Sequence, residues 1–378
     1  MSLASTLLRP LLAHVLGRAD IRLDGDRPWD LRVLDDRFYA MAATRGTLGF
    51  GEAYMDGFWE ADRPDELISR ILRADVDHAL PDLPNRLLLA LVGLANLQPA
   101  ARAGEIAEAL DDLGNPLFEA MLGPTMVYSC GYFRGADDLD LDAAQTAKLE
   151  LICQKLALRP GDRLLDIGCG FGSLLLHAAE RHGCEGVGVT VSSEQHAYAT
   201  ERLRGARAKV VLCDYRSDEL ARLGPFDKIA SVGMFEHVGS KNYRTFFEAT
   251  RRLLTADGLL LLHTVGNDHA PTDPWIHRYI FPNGMLPAAA QIAAATRGLF
   301  VIEDWHNFRG DYDRTLLAWE ARFTRWAATQ PEMPPRFYRM WRLYLLAMAG
   351  AFRAGDRNQL WQIVLSPGGV RGGYRSVR

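Results

Sequence analysis

From Ala143 onward short apolar runs alternate with helix-like segments, and no other feature constrains this 378-residue chain as much. A helix over 144–156 stops at Pro160-Gly161. Apolar runs follow at 163–167, 186–189, 209–213, 228–232 and 259–263. Helices from Ser173, from Ser193 and over 243–254 separate them. Strands spaced by helices in this way read as a parallel sheet covered on both faces, a doubly wound, Rossmann-like α/β domain. The first strand breaks into Asp166-Ile-Gly168-Cys169-Gly170-Phe-Gly172 before its helix. Glycines at such a turn let something approach the backbone closely.

Glycine-rich turns also serve dinucleotides, and a tight turn without a ligand is the plain structural alternative. Here the acid precedes the glycines. That order suits S-adenosylmethionine (SAM), which has no pyrophosphate to cradle, with Asp166 orienting the loop or taking the amino group. A dinucleotide enzyme usually carries Asp or Glu at the end of its second strand. This chain has Thr190-Val-Ser-Ser-Glu-Gln195 instead. Thr190 and Gln195 suit ribose hydroxyls, while Ser192 or Ser193 caps the next helix. Asp214 and Tyr215 are candidates for the adenine, with a simple turn role as the rival for Asp214. Glu236 lies beyond the fourth strand and His263 at the end of the fifth, where doubly wound sheets bind ligands. With no HExxH and no Cys/His cluster in the sequence, no metal is expected.

The first hundred residues read as mostly helical, with helices over 2–18, 66–73 and 87–97 and short strands over 21–33 around an Asp24-Gly25 turn. A linker-like stretch at 100–104 suggests a helical domain over 1–103 and a catalytic domain over 104–378. Residues 267–300 read as an insertion rich in Pro and aromatics; a strand at 300–304 and long helices through Trp319 and Trp341 follow. The net charge of −4 disfavours nucleic-acid binding. Five cysteines without a CxxC pair point to a reduced, cytoplasmic protein. The run 87–97 is too short to span a bilayer, so a membrane would be met from the side.

Longer strings carry a specific resemblance. Tyr128-Ser-Cys-Gly-Tyr132, Ser231 to Gly239, Asp273-Pro-Trp-Ile276, Tyr279-Ile-Phe-Pro282, Glu303-Asp-Trp-His-Asn307, Asp311-Tyr-Asp313 and Leu360-Trp-Gln362 resemble the cyclopropane fatty acid synthases, relatives of the mycolic acid cyclopropane synthases. The likeness runs from about Gly49 to the C-terminus. It implies SAM-dependent methylene transfer to the cis double bond of unsaturated acyl chains in membrane phospholipids. It also implies a homodimer whose helical N-terminal domain docks peripherally on the inner face of the membrane. Carried over by position, a bicarbonate ion would be held by Cys130, Glu236, His263, the backbone at Val265, and Tyr312. SAM would be held by Tyr128, Ser129, the loop of Asp166, Gly168, Cys169, Gly170 and Gly172, by Thr190 and Gln195, and by Asp214 and Tyr215. Tyr132, Phe133, Phe171, Phe235, Trp275, Tyr279 and Tyr312 are candidates for a dry aromatic lining that stabilises a cation.

The chain departs from the family's pattern at Leu110-Asp111-Asp112, Phe133, Phe171-Gly-Ser173 and Met348. The first departure touches the approach to the site, so a methyl- or methylene-branched product from the same alkene is the alternative outcome.

Overall fold

The computed structural model describes residues 3–76, 114–136, 138–268 and 273–378. The helix expected at 87–97, the linker at 100–104, the boundary between 103 and 104 and the departure at 110–112 lie outside them. In chain order the elements are α1 (Leu3–Gly17), β1 (Arg32–Val33), α2 (Arg37–Met55), β2 (Trp59–Glu60), α3 (Pro64–Arg73), α4 (Asn115–Leu122), α5 (Leu141–Lys155), β3 (Arg163–Ile167), α6 (Ser173–His182), β4 (Glu185–Thr190), α7 (Ser193–Arg202), β5 (Ala208–Leu212) and α8 (Asp218–Leu223). They continue with β6 (Phe226–Val232), α9 (Tyr243–Leu253), β7 (Leu254–Gly266), α10 (Pro274–Tyr279), α11 (Ala289–Thr296), β8 (Val301–Asn307), α12 (Arg309–Ala327), α13 (Pro335–Arg353) and β9 (Gln359–Ser366).

The described residues fall into two compact units, each drawing on separate stretches of chain. One takes residues from 1–95, 269–282 and 312–358; the other takes 96–268, 283–311 and 359–378. Residues 273–282, most of α12, and α13 group with the N-terminal helices.

In the second unit seven strands run in the order β5-β4-β3-β6-β7-β9-β8. The five from β5 to β7 are parallel, as the strand–helix alternation requires. The sheet is not wholly parallel, since β9 enters antiparallel between β7 and β8. The strand β9 was absent from the sequence reading because Gln359–Ser366 is almost entirely buried and its alternation is lost. The strand β7 also begins five residues before the expected Leu259. Its ladder with β6 is irregular, with Leu254 opposite Phe226 and Leu259 opposite Lys228, so the turn-like Thr255-Ala-Asp-Gly258 bulges without ending the strand.

Alternate residues of each strand feed two cores. Leu165, Ile167, Ile229, Leu260 and Leu262 pack with Phe246 and Phe247 of α9. Leu164, Ala230, Leu259 and Leu261 pack with Ile152 of α5 and Leu175 of α6. Each such side chain contributes about 1.5–3 kcal/mol on full burial. The helix α5 starts where Asp140 accepts a hydrogen bond from the Ala143 N–H, and α7 starts where Ser192 accepts from the Gln195 N–H.

In the first unit α13 packs on α3 and α2, and α1 and α10 pack on α2. The strand β1 pairs with β2, and across the Asp24-Gly25 turn Leu23 and Leu31 form a single bridge. The helix α2 had no counterpart in the sequence reading; glycines interrupt its periodicity, and Gly46 sits at a kink with φ 54°. Leu12, Val15 and Leu16 of α1 are buried, while Leu7 and Leu11 face solvent at 70% and 51% exposure. Arg353 gathers the carboxylates of Asp65 and Asp313 at 2.7 Å each.

Gly350 permits the closest helix contact in this unit to be argued from sterics. A Cβ there would lie 2.3 Å from the Asp65 carbonyl oxygen, an atom that cannot swing away. Replacement Gly350→Ala should lower the unfolding free energy by about 1–3 kcal/mol. Gly310→Ala, in open space on α12, should leave it unchanged or slightly raised. Urea unfolding of both variants checks this, and equal midpoints would contradict the packing described.

Candidate active site

The strand β3 lies between β4 and β6, so the winding of the chain reverses beside it. The C-terminal ends of β3 and β6 therefore flank the crevice where such sheets take ligands. The loop leaving β3 is held open by backbone geometry. Gly168, Gly170 and Gly172 have φ of 79°, 52° and 78°, values that favour glycine. A Cβ on Gly168 would come within 2.7 Å of Met234, whereas one on Gly170 would meet nothing within 4 Å. Gly168 thus admits the neighbouring turn, and Gly170 borders free space. The amides of Gly168 and Cys169 both donate to the Val189 carbonyl, which ties the loop to β4.

Asp166, just below this loop, is buried, and its Oδ1 has no hydrogen-bond partner. Burial pushes its carboxyl up to about 7, against the pull of the Lys148 ammonium. At the end of β4 the Thr190 hydroxyl donates to Gln195 Oε1 at 3.1 Å. This pair is the expected one, already in mutual contact. Beyond β5, Asp214 accepts from Arg216 through Nε and Nη2 at 2.7 Å and through the backbone N–H at 2.8 Å. That makes it a closed turn as well as a possible ligand contact. Tyr215 is buried in the core against Phe246, and burial raises its phenol to about 12. Its ring is packed in the core, while its buried hydroxyl has no hydrogen-bond partner.

Glu236 occupies a short 3-10 turn, Phe235–His237, that follows β6. Its Oε1 accepts from the Val265 N–H at 2.6 Å, while the buried Oε2 has no partner. Burial pushes this carboxyl up to about 7, opposed first by the bond from the Val265 N–H. His263 stands two residues before Val265 on β7, opposite Gln362 of β9. Its Nδ1 lies 3.3 Å from Gln362 Nε2, and its buried Nε2 is unpartnered. Burial, with repulsion from Lys148 and Lys155, holds this imidazole well below its ordinary value and so neutral. With the Gln362 amide as the donor to Nδ1, the proton sits on Nε2.

Lys148 connects these groups. Fully buried, it donates to Ser129 Oγ at 2.8 Å. Burial pulls its ammonium down to about 8, against the attraction of Cys130 and Asp166. The buried Gln145 supports the same segment by donating to the carbonyls of Val127 and Ser129. Cys130 is fully buried, with Sγ 3.0 Å from the Gly131 carbonyl oxygen. Tyr128 meets Phe118 edge-on, and Phe118 also touches Phe171. Tyr132 packs on Phe308, which lies beside the His263 ring.

Cys130, Glu236, His263 and Val265 thus share the second unit. Tyr312 is part of the first unit, where its ring packs on Phe352 and Trp319. Trp275 and Tyr279 are also in the first unit; Tyr279 donates to Glu52 Oε1 at 2.9 Å. Phe235 is core, stacked on Tyr243 at 4.5 Å. Lys148, Gln145 and Gln362 carried no role in the sequence reading. A signal for Lys148 was present: with Ala144, Leu151 and Lys155 it lies on one stripe of α5 that is otherwise apolar.

Comparison with known proteins identifies the family and the fold. The family model for mycolic acid cyclopropane synthetase matches residues 99–363. The cyclopropane-fatty-acyl-phospholipid synthase of Escherichia coli K12 is 48% identical over 371 residues, 97% of this chain and 94% of that protein. The solved structure of the cyclopropane synthase MmaA2 from Mycobacterium tuberculosis superposes with a TM-score of 0.65 at 30% identity, covering 72% of this chain and 99% of that one. The mycolic acid cyclopropane synthase CmaA1, solved with S-adenosylhomocysteine and CTAB, gives 0.62 at 31%, covering 71% and 99%. A glycine loop at a strand end, buried Glu236 and His263 at the ends of neighbouring strands and a family match over most of the length have one reading: the chain belongs to the mycolic acid cyclopropane synthetase family, whose members are SAM-dependent methyltransferases.

Proposed function

We propose that this enzyme builds cyclopropane rings on the cis double bonds of unsaturated acyl chains in membrane phospholipids, with bicarbonate as the general base. The observation that carries this reading is a pair of buried, unpartnered polar atoms, Glu236 Oε2 and His263 Nε2, at adjoining strand ends. Buried polar atoms without partners are rare unless a ligand or water completes them. Burial favours the protonated form of Glu236, which makes Oε2–H a donor. The His263 Nε2–H is a second donor. Such a set fits a small oxyanion without setting one anion against another.

The Gly168–Gly172 loop, Thr190 and Gln195 would hold SAM, and Cys130, Glu236, His263 and the Val265 backbone would hold bicarbonate. Bound there, SAM supplies an electrophilic methyl and bicarbonate supplies a base. Overall the alkene gains CH2, S-adenosylhomocysteine leaves, and one proton passes to the base. The protein's part is to align the groups and keep water out. Neutral Glu236 and His263 suit that task, since neither draws in solvent as a charge would. Phe308 and Tyr132 present apolar surface beside His263.

The substrate is met at a bilayer surface, with the enzyme bound peripherally from the cytoplasm as a homodimer. Exposed Leu7 and Leu11 on α1, with Arg9 between them, support a lipid contact. No helix of the described residues is long and apolar enough to cross a membrane. None of the five cysteines forms a disulfide, which suits a reducing compartment.

Incubation with SAM and unsaturated phospholipid vesicles should add the mass of one CH2 per alkene and remove the vinyl proton signals. An added carbon with the alkene retained would replace the cyclopropane by a branched product. Glu236→Gln and His263→Asn should each lower turnover by about 100-fold or more. Calorimetric affinity for SAM should stay near the parent's in both variants; unchanged turnover would remove the oxyanion site.

Glu236 also sets a pH dependence. Its folded value, about 7, lies above the ordinary 4.5, so its contribution to stability is complete below about 4.5 and lost as pH rises through about 7. Glu236→Gln should therefore gain stability relative to the parent across that window. Paired urea titrations at several pH values measure this, and a constant difference would mean that Glu236 ionises normally. For the membrane contact, Leu7→Glu with Leu11→Glu should abolish vesicle co-sedimentation while sparing SAM affinity; retained co-sedimentation would exclude α1 as the docking element.

A further inference from the structure

Away from the catalytic crevice, α5 and α6 bring together a set of side chains that the sequence reading did not foresee. Cys153, His177 and His182 each offer one ligand atom, and these atoms lie within 4.8 Å of one another. Cys153 is fully buried, and the two histidine side chains are 12% and 18% exposed. One oxygen of Glu150, Oε2, stands 3.0 Å from His177 Nε2 and 3.1 Å from His182 Nε2. The expectation that the chain holds no Cys/His cluster is thereby corrected. Glu150 and Cys153 are three apart on one face of α5, while the histidines are five apart at the end of α6. No spacing familiar from zinc motifs joins positions so placed, which is why sequence inspection passed over them.

We propose that Cys153, His177 and His182 form a binding site for a zinc-type divalent ion that staples α5 to α6, with Glu150 orienting both imidazoles. A thiolate with two imidazoles is a donor set that suits Zn2+ or Co2+ and disfavours Mg2+ and Ca2+. Bonds of ~2.0–2.3 Å to a tetrahedral ion put ligand atoms roughly 3.3–3.8 Å apart. A small side-chain adjustment closes the present spacing to that value. Charge and protons balance. Cys153 gives its thiol proton to solvent and binds as thiolate, and each imidazole binds neutral through one nitrogen while its other N–H donates to Glu150. The thiolate and the Glu150 carboxylate then offset the two charges of the ion. A carboxylate holding a ligating imidazole is the usual outer partner of such sites. With three protein ligands, a tetrahedral ion would take water as its fourth. The role is structural: α5 carries Gln145 and Lys148 beneath Ser129 and Cys130, so a staple at its C-terminal end would hold that helix in place.

The test uses the full-length protein, stripped with a chelator and titrated with Co2+ and then Zn2+. One Co2+ per chain should bind, with a thiolate-to-cobalt charge-transfer band and tetrahedral d–d absorption, and Zn2+ should displace it. Cys153→Ser should lose the charge-transfer band. His182→Asn, at a helix end where folding tolerates change, should weaken Co2+ at least about tenfold. Cys213→Ser, remote from the cluster, should bind as the parent does. Zn2+ should raise the parent's Tm and leave that of His182→Asn unmoved. No charge-transfer band at saturating Co2+, or a band that persists in both ligand variants, would show an adventitious ion and overturn the site. None of these readouts depends on turnover, so the outcome is independent of the reading of the catalytic crevice.

Discussion

The bond from the Val265 N–H to Glu236 Oε1 is the contact on which the rest of the catalytic crevice depends. It fixes the turn after β6 against the end of β7. It also uses one carboxylate oxygen and leaves the other facing inward. Burying that carboxyl costs less when it stays protonated, so the geometry and the raised proton affinity have one cause. His263 follows the same logic with the opposite sign: burial and two nearby ammonium groups keep it uncharged. Both groups are thus favoured in their neutral forms by burial.

The helix α5 performs the complementary task. Two of its lysines are buried. Lys148 is bonded to Ser129, and Lys155 lies 3.4 Å from Asp304 and 3.1 Å from His306. Both ammonium groups are pulled down to about 8 by burial. They supply positive potential without entering the crevice as ligands. The same helix places Glu150 and Cys153 on a different face, toward α6. One element therefore links Ser129 to a candidate metal staple.

The parallel strands β3 to β7 and the helices between them were legible because each strand is short, apolar and bounded by turn residues. The glycine loop was legible because its φ values suit glycine. The antiparallel β9 was not, since a strand buried on both faces loses its alternation. Phe235 shows the converse: a string position drew attention to an aromatic ring that stacks on Tyr243 inside the core. Lys148 was visible as a charge on an apolar stripe, yet only its contact with Ser129 gives that charge a purpose.

By itself the amino-acid sequence determined the sheet's parallel half, the cofactor loop and the strand ends at which Glu236 and His263 would sit. Those follow from local periodicity and backbone freedom, which neighbouring residues settle among themselves. Tertiary structure alone decided which atoms remain unpartnered, which groups stay neutral, where β9 inserts, and that Cys153 meets His177 and His182. These depend on burial and on contacts between residues far apart along the chain, and desolvation acts only once the chain has closed around them.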